Sequence, residues 1–284
     1  MLNVKSLIFI FCLLVASCVT TEKLQQRVKS QLNDFIEKSE YKSSLSTKIE
    51  EKEALYTIIH IRQQHHSSLY NKQILKELED AQDLSKVTEI KKKYFGQITK
   101  INTIQKEIYD FLMASTSQKD FLYVEGRSYP HHYRDAFLST YVPESIAEIS
   151  KNLNTKGAFS HPIPDPPHFI GASITIHKER KMNVLGAENL ALLNLTLSLY
   201  ENKKFSENDV AALLKECHEA REDQMIKNMI INFEDLSYRM SSLRFLVCGS
   251  KHDFEDNVKK WNEKNPDKKV NLLVFTPPSL NLAF

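Results

Sequence analysis

Residues 56 to 68 read Tyr-Thr-Ile-Ile-His-Ile-Arg-Gln-Gln-His-His-Ser-Ser, an apolar run that stops abruptly in a polar, histidine-bearing turn. The run is short, rich in β-branched residues and lacks the 3.6-residue spacing of a helix. That pattern reads as a strand buried on both faces of a parallel sheet. His65 and His66 then fall just past its carboxyl end. In open α/β sheets ligands collect in the crevice beyond the carboxyl ends of the strands.

Working outward, four more stretches have strand character: Phe121 to Val124, Met182 to Ala187, Leu243 to Cys248, and Val270 to Phe275. Between them lie helical patterns. Leu69 to Leu78 and Val87 to Met113 contain no proline and predict a helical hairpin inserted after the first strand. A helix follows Glu188 and Asn189, and Ser206 with Asp209 has the form of a capping box with a shorter acid. Further helices are expected over Glu219 to Met240 and Asp253 to Trp261. Strands alternating with helices define an α/β fold, a mostly parallel sheet flanked by helices.

The strand ends carry the chemistry. The second strand stops at Glu125-Gly126-Arg127, the third at Glu188, and the fourth at Gly249 with His252 three residues on. Together with His65 and His66 this is a set suited to a divalent metal or to general acid and base work. On the helix after Glu219, Arg221, Met225, Asn228 and Asn232 fall in one strip beside the apolar face. An arginine and asparagines there need partners, which other helices or a ligand could supply. Tyr129, His131, His132 and Tyr133 crowd one short segment; they read either as a wet loop opening a helix or as metal, haem or anion ligands. Ser160 to His168 holds four prolines and predicts an extended loop, either a cover over a site or a plain connection.

The amino terminus differs from the rest. Lys5, the apolar run Leu7 to Ala16, then Ser17 and Cys18 have the order of an export signal. Val15-Ala16-Ser17-Cys18 resembles a bacterial lipobox, in which cleavage precedes a cysteine that becomes lipidated. The expected division is a signal over 1–17, a lipidated tether or amphipathic helix over 18–45, and one α/β domain over 46–284. Membrane lipid held through Cys18 is the expected partner, and the bacterial cell envelope the expected location. Cys217 and Cys248 could pair or remain two buried thiols. With 38 basic and 36 acidic residues the net charge is only +2, so nucleic acid is not an expected partner.

Ile59-His60-Ile61-Arg62-Gln63-Gln64-His65, Val124-Glu125-Gly126, Gly186-Ala187-Glu188, Arg221 to Asn228, and Cys248-Gly249-Ser250-Lys251-His252 occur in the order of a superfamily's blocks. In this the chain resembles the Tiki, TraB, ChaN and erythromycin-esterase-like group from about residue 56 to 275. The resemblance implies a metal-dependent hydrolase of peptidase or esterase type. His65, Glu125 and His252 would hold the metal, Glu188 would move the proton and Arg221 would stabilise negative charge. It also implies a haem- or small-molecule-binding lipoprotein as an alternative, and an interaction module with a degenerate site is the third reading. One departure stands out. Where many relatives have glycine followed by glutamate or threonine, this chain has Arg62 and Gln63, and an amide cannot act as a carboxylate base.

Overall fold

The computed structural model describes residues 22–37, 39–64, 68–128, 171–180, 183–201, 206–234 and 242–281. Its centre is a six-stranded sheet: β1 (Leu45–Ile49), β2 (Tyr56–Gln63), β3 (Phe121–Ser128), β4 (Asn183–Glu188), β5 (Leu243–Gly249) and β6 (Val270–Phe275). The order is β1-β6-β2-β5-β3-β4, with β1 antiparallel to β6 and the other neighbours parallel. The helices are α1 (22–37), α2 (Ser68–Glu79), α3 (Leu84–Ser115), α4 (Ala172–Arg180), α5 (Leu190–Glu201), α6 (Glu207–Glu234), α7 (Glu255–Lys264) and α8 (Pro278–Asn281). The expected α/β architecture is therefore present. The hairpin insertion follows β2, because β1 precedes the strand read as the first. That edge strand escaped notice since its pattern is mostly exposed and only Ile49 is buried.

Strand alternation sorts the core into two layers. Ile59, Ile61, Leu122, Val124, Phe245 and Val247 face Leu32 of α1, Ile104 to Leu112 of α3, and Ile176 of α4. Ile58, Tyr123, Leu185, Leu246 and Cys248 face Met225, Ile226, Met229 and Ile230 of α6 and Val258 of α7. Burial on both faces is what the continuous apolar runs demanded. Phe111 stacks on Phe275 with centroids 3.9 Å apart and meets Phe35 and Tyr41 edge-on, which joins α1, α3 and β6. Residues 22–37, within the stretch 18–45 read as a tether or amphipathic helix, form a helix that contributes Val28 and Leu32 to the buried interior.

Both long helices outrun the sheet. Gln105 of α3 donates to the Gln64 carbonyl at 2.9 Å, at the carboxyl edge, so the helix from Leu84 to Gln105 carries about 30 Å of length beyond that point. This part closes on α2 through its own small core of Ile74, Leu78, Val87, Ile90 and Tyr94. The Asp83 carboxylate caps α3, accepting from Lys86 N at 2.8 Å. Asp83→Ala is expected to cost about 1 kcal/mol in thermal or urea unfolding, the usual value of such a cap. Ser206 opens α6 with the forward half of a capping box: Asp209 N donates to Ser206 Oγ at 3.2 Å, and the Ser206 hydroxyl donates to the Asp209 carboxylate at 2.6 Å. The two helices expected after Ser206 are one continuous helix. Cys217 and Cys248 are separate buried thiols.

Candidate functional site

Glu125, Glu188 and His252 meet at the carboxyl edge of β3, β4 and β5, on the face covered by α6. Alternation along β3 puts Glu125 on the side of Tyr123, beneath α6. A bulge then breaks the β3–β4 register between Val124 and Ser128. Gly126 sits in it at φ 78°, a conformation that favours glycine, and its N–H points to Glu188 Oε1 at 3.5 Å. The same turn re-aims Glu125 toward β5, where Gly249 N donates to its Oε2 at 2.6 Å. A side chain at 249 would start 3.2 Å from that oxygen, so glycine lets the carboxylate approach the backbone.

Helix α6 supplies the counter-charges. Arg221 Nε donates to Glu188 Oε2 at 3.1 Å, Nη2 donates to Glu188 Oε1, and Nη2 lies 3.4 Å from Glu125 Oε1. The Glu188 side chain is fully buried, and Arg221 beside it is held more basic by the carboxylates in spite of burial. The next residue, Glu222, accepts from His252 Nδ1 at 2.6 Å, while Nε2 faces Glu125 Oε1 at 3.1 Å. Burial opposes a charge on this imidazole, but its hydrogen bonds to the two carboxylates overcome it and lift its pKa to about 9. His218 lies at the rim: Tyr200 Oη is 3.1 Å from its Nε2, Arg221 Nη1 is 3.5 Å from its Nδ1, and its ring stands 5.7 Å from that of His252. Burial, Arg221 and His252 hold it below the ordinary histidine range.

Glu125, Cys248 and His252 offer ligand atoms within 4.8 Å of one another. Burial and the nearby Glu125 and Glu188 raise the Cys248 thiol far above its usual range, so without a metal it stays protonated. Three carboxylates against one guanidinium leave two negative charges when His252 is neutral. The cluster is short of positive charge: a proton on His252 would halve the deficit, and a divalent cation would fill it. Asn228 has another job. Its Nδ2 donates to the Ala187 carbonyl at 2.9 Å and its Oδ1 accepts from Gln224 at 2.7 Å, tying α6 to the end of β4.

Of the residues singled out in sequence, Glu125, Glu188, Arg221 and His252 are brought together here. His65, His66, Tyr129, His131, His132, Tyr133 and Cys18 lie outside the described residues, as does the proline-rich stretch 160–168. Sequence reading missed Glu222, His218 and Cys248 as site groups. The available signal was helical spacing, since residues 218, 221, 222 and 225 share one face of α6. Gln63 takes no part in this cluster. Its side chain turns to the α3 face and meets Gln105 Nε2 at 3.3 Å, away from His252. Gln105 Oε1 in turn accepts from Ala172 N at 2.8 Å, so these amides fasten β2, α3 and α4.

The molecule is thus a mostly parallel α/β protein with a buried histidine–carboxylate–arginine cluster at the carboxyl edge of its sheet. No protein-family model, curated protein or solved structure matched the chain.

Proposed function

We propose that this chain is a lipid-anchored envelope hydrolase, of peptidase or esterase type, whose centre takes a divalent metal on Glu125 and His252 with Cys248 beside them. The observation that carries the reading is the Glu222–His252–Glu125 relay. One ring nitrogen is fixed by a buried carboxylate, and the other faces a second carboxylate across 3.1 Å in a cluster that lacks positive charge. A carboxylate on the far nitrogen is the usual support of a metal-binding histidine. Nitrogen, oxygen and sulfur donors together suit a borderline ion such as zinc. When bound, such an ion would polarise a carbonyl and make water acidic.

The remaining roles follow from burial. Glu188, expected to move the proton, is enclosed and committed to Arg221; it positions that guanidinium instead. Arg221, buried beside Glu125, then supplies a fixed positive charge that favours an oxygen becoming negative at that carboxylate's end of the site. His218 is half-exposed and neutral, which suits it to take or give a proton at a substrate. Lipid anchoring is supported by the charged start, apolar run and Cys18 of the sequence. The haem alternative would use Tyr129, His131, His132 or Tyr133.

Elemental analysis of purified protein is expected to find a stoichiometric divalent metal that chelation removes. Glu222→Gln should weaken metal affinity by about 10- to 100-fold, as loss of a supporting carboxylate does. Protein that contains no metal and takes up neither zinc nor cobalt in titration at pH 8 would defeat the proposal.

A further inference from the structure

We infer that the domain stands on the amino edge of its sheet at a lipid surface and holds the His252 site at the opposite edge, so that its substrate is a solute of the aqueous phase rather than a membrane lipid. The inference rests on the lipid-anchor reading and is independent of the metal.

The course of α1 carries it. Gln25 Nε2 donates to the Glu53 carbonyl at 3.4 Å, and Gln31 Oε1 accepts from Ser242 N at 3.3 Å. Glu53 and Ser242 lie in the segments that enter β2 and β5, at the amino edge. Further along, Phe35 packs on Phe245 within β5, with centroids 6.0 Å apart. Tyr41 then reaches Phe275 at the carboxyl end of β6, at 5.8 Å. The helix therefore climbs the sheet from amino edge to carboxyl edge and begins at the edge remote from the site. Val28 and Leu32 are buried, so α1 cannot peel away to lengthen a tether without exposing core.

Chain length does the rest. From Cys18 to residue 22 the polypeptide spans at most about 14 Å. The seven residues of β5 alone separate the two edges by about 20 Å, and His252 lies past the far end. A lipid on Cys18 reaches the amino edge and falls short of the site. The hairpins α2–α3 and α5–α6, which extend past the carboxyl edge, then face away from the bilayer.

The test uses full-length lipidated protein extracted from membranes and reconstituted into phosphatidylethanolamine–phosphatidylglycerol vesicles bearing a nitroxide on the headgroup. A fluorophore is placed through Lys52→Cys, at the amino edge, or through Lys251→Cys, beside His252; both lysines are exposed, whereas the native Cys217 and Cys248 are buried. The protein is expected to float with the vesicles, to lose most of its emission from position 52 and to lose none from position 251. Vesicle-bound protein quenched as strongly at 251 as at 52 would overturn the orientation while leaving the anchor intact. Protein that does not float would overturn the anchor, and the orientation with it.

Discussion

Arg221→Met is expected to destabilise the metal-free protein by about 3–5 kcal/mol, the usual loss when one partner of a buried ion pair is removed. The guanidinium has 5% of its side-chain surface exposed, and Glu188 beneath it has none. Without Arg221, Glu188 keeps, among the described residues, the long Gly126 N–H contact at 3.5 Å, and Glu125 loses the guanidinium beside it. Methionine fills the space but leaves the carboxylate charge uncompensated. The measurement is the shift of the urea midpoint at unchanged slope. Arg221→Met combined with Glu188→Gln should recover much of the loss, since the stranded charge is then gone, and the double-mutant cycle gives the coupling. Arg221→Lys should fall short of rescue, because an ammonium cannot reproduce the two-pronged contact with Glu188. A loss no larger than about 1 kcal/mol, the value of an exposed pair, would show that water reaches Glu188.

The second large effect is a stability maximum near neutral pH in chelated protein. His252 titrates at about 9 when folded and near 6.5 when unfolded. A group with a raised folded pKa lends stability in full below about pH 6.5 and loses it as pH rises through 9. At about 1.4 kcal/mol per unit the alkaline limb amounts to about 3 kcal/mol. His60 bends the other limb. Burial first, then Arg62 and His252, hold its pKa down at about 3, so the unfolded chain takes up a proton below 6.5 that the folded chain refuses. Stability therefore falls as pH drops from 6.5 toward 3. Urea titrations across this range should show both limbs, and His252→Gln should flatten the alkaline one. An unchanged alkaline limb in that variant would mean that Glu125 and Glu222 do not hold a proton on His252. Bound metal displaces that proton, so metal affinity should rise with pH.

Much of this architecture was legible in the sequence for a simple reason. Strands buried on both faces must be continuously apolar, and the runs at 56–61, 121–124, 243–248 and 270–275 had few other places to go. The ends of such runs announce themselves by a change of polarity, which is how Glu125, Glu188 and His252 were found. An edge strand has no such obligation. Leu45–Ile49 has one buried residue and pairs only with β6, so nothing in its five residues distinguishes it from a loop. Glu222 and His218 were hidden for a related reason: charged residues on a long helix are usually solvated, and only the partner strand turns them into site groups.

By itself, then, the order of residues determined the sheet, its flanking helices and the rim on which the polar groups fall, because backbone periodicity and the burial of apolar surface are local or nearly local demands. Which carboxylate does what was decided only in three dimensions. Arg221 and His252 divide three acids between them, so that Glu188 is spent holding the arginine, Glu222 holds one nitrogen of the imidazole, and Glu125 keeps the most side-chain surface exposed. That division depends on distances of a few ångströms between residues 30 to 127 positions apart. Coulombic energy at such range depends on where the chain comes to rest, and not on the spacing of letters along it.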